Sequence, residues 1–124
     1  MSLIFHITLR SAWEAAQAAG EYRGDTLETD GFIHCSLAEQ VVPVANAYYR
    51  GQTGMVLLCI DAERTRAEVR YEDCCRSGQA YPHVYGPLNL DAVVLAVDFP
   101  PQADGTFVLP EDRSGAAGFF SPLE

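Results

Sequence analysis

An α+β fold is predicted by the order of the patterns along the chain. Helical patterns fall in the first half, before Gly51, and strand patterns crowd the second half. A regular βαβ alternation would spread helices along the whole length, so the segregation favours α+β over α/β. The 124 residues are the size of one domain and can bury a core without staples. Residues 1–124 are therefore expected to form a single domain, with a core over about 3–110 and a loose tail over 111–124.

Leu3 to Thr8 reads as a first strand, apolar except for His6. Ser11 to Ala19 is alanine-rich and helical, and Gly20 stands where a helix C-cap is expected. Glu21 to Asp30 is polar and reads as a loop, and Gly31 to Cys35 as a second strand. Ser36 opens a second helix, because Ser36 and Glu39 match the capping-box spacing. That helix should run to Tyr49 or Arg50, kinked or split at Pro43. Met55 to Asp61 is a continuous apolar run, as in a buried central strand. Glu68 to Glu72 and Ala92 to Phe99 read as further strands. Ser77 to Leu90, rich in Gly, Pro and aromatic residues, reads as irregular. Thr106 to Leu109 is expected to pair back after a turn at Pro100 to Gly105.

Composition narrows the function classes. The net charge is −9 and all eight basic side chains are arginines. An acidic surface disfavours nucleic acid as partner, since a phosphate backbone needs a cationic footprint. The lack of lysine excludes a Schiff base and a Walker-type phosphate loop. No run approaches the roughly 20 apolar residues of a membrane-spanning helix, and the N-terminus lacks signal-peptide character. A cytoplasmic protein is expected, with Cys35, Cys59, Cys74 and Cys75 as reduced thiols.

The chain has three histidines, each in a short polar motif: Phe5-His6-Ile7-Thr8, Gly31-Phe32-Ile33-His34-Cys35-Ser36 and Tyr81-Pro82-His83-Val84-Tyr85-Gly86. Side chains alternate along a strand. His6 therefore shares a face with Thr8, and His34 with Ser36. Two strands that each present His-x-hydroxyl can build one polar patch beside an apolar core. The plainer alternative is that each histidine is a satisfied core or edge residue. Cys35 cannot pair with adjacent His34, which points to the opposite face, but could meet a histidine across strands. A metal site of His6, His34 and His83 fits imidazole chemistry, although no His-x-His or His-x-x-x-His spacing calls for it. Two carboxylates stand at strand ends, Asp61 and Glu72. Glu72 is the better functional candidate, because it precedes the His83 segment.

These motifs, with Trp13, Tyr71-Glu72 and Pro82-His83-Val84-Tyr85-Gly86-Pro87-Leu88, resemble the bacterial family known as domain of unknown function 952. The resemblance covers Leu3 to about Pro110. That family is in turn similar to the ADP-ribosyltransferase-like fold of the RNA 2'-phosphotransferases and rifampin ADP-ribosyltransferases. The resemblance implies small curved mixed or antiparallel sheets with two N-terminal helices. It also implies NAD as a candidate substrate, with His6 on the ribose, Thr8 supporting the strand end, Ser36 in the nicotinamide pocket and Glu72 as the acidic group. The sequence departs from that pattern at Ile7, where those enzymes carry glycine, and it lacks a late Gln-x-Glu or Glu-x-Glu motif.

Two functions follow as expectations. One is a transferase acting at a glycosidic centre, binding NAD or an ADP-ribose-type nucleotide, with Glu72 and His83 catalytic and His6, Thr8, His34, Ser36 and Tyr85 binding the ligand. The other is a non-catalytic module of the same fold that holds a small ligand or a metal. In a third, purely structural reading, the motifs are signatures of the fold.

Overall fold

A computed structural model describes residues 2–24, 26–73 and 78–109. The chain order is β1 (Leu3–Leu9), α1 (Arg10–Ala19), β2 (Glu21–Tyr22), α2 (Thr26–Asp30), β3 (Ile33–His34), α3 (Ala38–Tyr48), β4 (Met55–Asp61), β5 (Glu68–Glu72), β6 (Tyr81–Tyr85), β7 (Leu88–Asn89) and β8 (Val93–Asp98), with a 3₁₀ turn at Leu90–Ala92. The strands form three sheets, ordered β1-β4-β8, β2-β7 and β3-β6-β5. Every pairing among the described residues is antiparallel. The fold is α+β.

The first sheet is packed on both faces. Alternation sends Ile4, Val56, Leu58 and Ile60 into one cluster, with Ala16 of α1, Tyr22, Ile33 and Val84. Phe5, Ile7, Leu57 and Cys59 enter another, with Val41 and Ala45 of α3, Phe99 and Phe107. All seven residues of β4 are buried, which is why its sequence is continuously apolar. The third sheet is different. Ile33, Val84 and Val69 face the first cluster, and the opposite face is polar.

Ser36 joins the two sheets. Its backbone N–H donates to the Phe5 carbonyl at 2.7 Å and its carbonyl accepts from Phe5 N–H at 2.8 Å. This bridge holds Ser36 extended, so the expected Ser36–Glu39 capping box does not form. The cap moves to Leu37, whose N–H donates to Gln40 Oε1 at 2.9 Å. Pro43 lies inside α3 without splitting it. Helix α1 ends as expected, with Gly20 at φ 92° donating its N–H to the Ala16 carbonyl.

Other expectations are corrected. Glu21 to Asp30 is not all loop: it carries β2 and α2, so α-helices over residues 10–48 number three, not two. Ser77 to Leu90 is not irregular, since it supplies β6, the middle strand of the third sheet, and β7. Thr106 to Leu109 forms no strand. The turn before it closes through Gln102 N–H to the Thr106 carbonyl, and Phe107 N–H donates to Asn46 Oδ1 on α3. Residues 74–77, including Cys74 and Cys75, and the tail over 111–124 lie outside the described residues.

Candidate functional site

Antiparallel register puts directly opposed residues on one face. In the third sheet His34 opposes His83, and His83 opposes Arg70. Residues two positions away share that face, which adds Phe32, Tyr85 and Glu72. The polar face is therefore a compact cluster of carboxylate, imidazole, phenol and guanidinium groups.

Glu72 is its centre. Its Oε1 accepts from His83 Nδ1 at 2.9 Å and from the Tyr85 hydroxyl at 2.5 Å. Those two donors, Tyr85 first, hold its carboxyl below the ordinary carboxylate range, and Glu72 in turn holds the Tyr85 phenol above its ordinary value. The Arg70 guanidinium sits 4.3 Å from the centroid of the Tyr85 ring, a cation–π contact. Phe32 stacks on His83 with centroids 4.0 Å apart, and the His34 ring meets His83 edge-on at 5.3 Å. The His83 side chain is 1% exposed against 36% for Glu72, so the carboxylate reaches solvent while the imidazole is covered.

This arrangement fixes a tautomer. A carboxylate accepts only, so the neutral His83 ring carries its proton on Nδ1 and its lone pair on Nε2. Nε2 has no hydrogen-bond partner among the described residues. His34 is held from outside by Asp30, with Nε2 and Oδ2 at 2.9 Å.

His6 and Thr8 belong to a second, inner arrangement. His6 Nδ1 lies 2.6 Å from the His34 carbonyl and Nε2 lies 2.7 Å from the Tyr22 hydroxyl, which is 2.9 Å from Thr8 Oγ1. The carbonyl requires the proton on Nδ1. The Tyr22 hydroxyl beside Nε2 donates to Thr8 Oγ1. His6 thus supports the backbone of His34, whose ring touches His83. The histidines fall into two groups: His34, His83, Glu72 and Tyr85 form one, while His6 meets His34 only at its carbonyl and bonds Thr8 through Tyr22, and Ser36 is buried in the bridge to Phe5.

The other candidates are structural. Asp61 is buried and accepts from Glu63 N–H at 3.0 Å, closing the turn after β4. Cys35 and Cys59 are buried free thiols. Burial pushes the Cys35 thiol far up and the Cys59 thiol to about 12, so neither is a thiolate nucleophile near neutral pH. No group of three or more metal-ligating side chains occurs among the described residues, and no described helix is long and apolar enough to cross a membrane.

Tyr22, Phe32 and Arg70 were not singled out by sequence reasoning. Phe32 and Arg70 were accessible to it, since each stands two residues before a chosen residue on the same strand face. Tyr22 reaches His6 only through folding. Beside the cluster lies a cleft of about 370 Å³, whose lining includes Glu21, Arg66, Ala67, Gly86 and Asn89; Tyr85 belongs to both.

Together these features define an α+β protein of small antiparallel sheets, with a carboxylate–histidine–tyrosine cluster on the open face of one of them. The chain belongs to the protein family of unknown function DUF952, whose model matches residues 7–96. It is similar to protein CC0527 from Caulobacter crescentus. The crystal structure of that protein shares 37% identity and a TM-score of 0.79, over 87% of this chain and 95% of that one. Its solution structure gives 36% identity and a TM-score of 0.68, over 86% and 91%. No curated protein matches the chain.

Proposed function

We propose that this protein is an ADP-ribosyltransferase-like enzyme that binds NAD or an ADP-ribose-type nucleotide and acts at the glycosidic carbon of the ribose. The observation that carries this reading is the Glu72 carboxylate, held anionic by Tyr85 and His83 and still partly open to solvent. Cleavage of the ribose–nicotinamide bond sends the bonding pair to nicotinamide, which leaves neutral, and develops positive charge on the ribosyl carbon. A fixed carboxylate stabilises that charge without reorganising. An acceptor O–H then adds to the carbon. Its proton passes to His83 Nε2, while the Nδ1 proton moves to the partly open Glu72 carboxylate and from there to solvent. His34 and Tyr85 line the ligand side, with Ser36 at the inner wall. His6 and Thr8 hold that wall through the His34 carbonyl.

A second reading, a module that binds such a ligand without chemistry, is favoured by the burial of the His83 ring under Phe32. Ligand binding and nicotinamide release, measured on wild type, His6→Ala and Glu72→Gln, separate the two. The enzyme reading expects saturable binding of NAD and ADP-ribose, weakened in His6→Ala, and nicotinamide release reduced about 100-fold or more in Glu72→Gln. Saturable binding with no release in the wild type supports the module. No binding at millimolar nucleotide overturns both.

A further inference from the structure

The cleft beside Tyr85 has features of its own. Arg66 lies on the connection between β4 and β5, and that connection is tied down from several sides. Asn89, itself buried, accepts from Arg66 N–H through Oδ1 at 2.8 Å and donates through Nδ2 to the Arg64 carbonyl at 3.0 Å. Thr65 Oγ1 bonds the carbonyls of Ala62 and Ala67, each at 3.0 Å. The base of Arg66 is thus fixed, while its guanidinium makes no ion pair among the described residues. Of the neighbouring carboxylates, Glu21 pairs with Arg23 at 3.2 Å, and Asp91 bonds Asn89 and also feels the charges of Arg66 and Arg64, without an ion pair to Arg66. Gly86 completes the wall. A Cβ there would lie 2.9 Å from the Ala67 Cβ, so any side chain at position 86 would displace the residue next to Arg66.

From this we infer that the cleft is an anion subsite in which Arg66 receives the phosphate of a phosphorylated sugar. A planar guanidinium with a fixed base matches a phosphate in geometry and charge. In a chain of net charge −9, an anion is retained only where a local cation offsets the field. The volume of about 370 Å³ is at the low end of the roughly 300–1,000 Å³ usual for small-ligand sites. It suits a ribose phosphate better than a whole dinucleotide. Tyr85 places the subsite next to Glu72, so the inference rests on the proposed nucleotide reading and refines it: the phosphate is anchored at Arg66 while the glycosidic end reaches the carboxylate.

The test uses the full chain, observed by amide NMR, with ribose 5-phosphate and ribose as probes and a thermal melt as the folding control. Saturable shifts at Ala67, Gly86 and Asn89 are expected with ribose 5-phosphate. Arg66→Ala should weaken its affinity about tenfold to a hundredfold, with ribose far weaker and unaffected by the substitution. Equal affinity in the folded variant, equal binding of the two probes, or shifts confined to other residues overturns the subsite. Nicotinamide release from NAD is measured in parallel. Arg66-dependent binding of ribose 5-phosphate without release leaves the subsite standing and removes the transferase reading. Release from NAD together with ribose 5-phosphate binding that does not change in Arg66→Ala removes the subsite alone.

Discussion

The first and third sheets are built from the same antiparallel pairing and carry opposite burdens. The β1-β4-β8 sheet is covered on both faces, and its middle strand is wholly buried. The β3-β6-β5 sheet gives one face to the core and keeps the other for Glu72, His83, Tyr85 and Arg70. Buried polar groups in the first sheet are held by hydrogen bonds, His6 and Thr8 through Tyr22 and Asp61 through the turn after β4. Those on the third sheet keep capacity to spare, in a half-open carboxylate and an unpartnered imidazole nitrogen. Close packing and an open polar face therefore fall to different sheets, joined by the Ser36–Phe5 bridge and by the contact of His6 with the His34 carbonyl.

Breaking the covered sheet gives the largest expected effect on stability. Leu58 has no exposure, and Leu58→Ala should cost about 2–5 kcal/mol in denaturant unfolding, from lost burial and the cavity left behind. A loss below about 1 kcal/mol would mean that β4 is not the centre of stability. Tyr22→Phe should cost about 1–3 kcal/mol, because it removes a buried hydroxyl that serves both His6 and Thr8. The same variant should move the backbone resonances of His34, since His6 holds that carbonyl. Unmoved His34 resonances would uncouple the two groups.

Tyr85→Phe sharpens the contrast from the other side and should perturb the fold least. Glu72 loses its first donor, so its carboxyl should titrate closer to the ordinary carboxylate range, as followed by side-chain NMR. The sign follows from the lowered value in the folded protein. A depressed carboxyl contributes stability above its unfolded pKa of about 4.3 and loses it as pH falls through the folded value. The melting temperatures of wild type and Tyr85→Phe should therefore differ at pH 7 and converge as the pH falls below about 4. A gap that persists at low pH would show that Tyr85 acts through packing rather than through Glu72.

Local signals were reliable where local physics decides. The alanine-rich run and Gly20 mark α1 and its left-handed cap, and the unbroken apolar run over Met55 to Ile60 marks a strand buried on both faces. Part of the polar arrangement was legible too, since alternation alone puts His6 with Thr8. Strand β6 was not legible. Pro82 and the surrounding glycines and aromatics argue against a middle strand, yet β6 lies between β3 and β5. The proline is tolerated because β3 pairs only as far as His34, opposite His83. Past that point the Pro82 carbonyl still accepts from Cys35 N–H.

By itself the sequence determined the α+β class, the helix and strand cores, and the polar residue types of the candidate site, because periodicity and side-chain alternation are properties of neighbours in the chain. Tertiary structure decided the rest. Register set Arg70 opposite His83 and so brought Glu72 diagonally to His83, the bridge to Phe5 drew Ser36 out of its cap, and packing brought Tyr22 to His6. Each of these joins groups remote in sequence, and the free energy that selects them comes from burial and hydrogen bonds that exist only once the sheets have met.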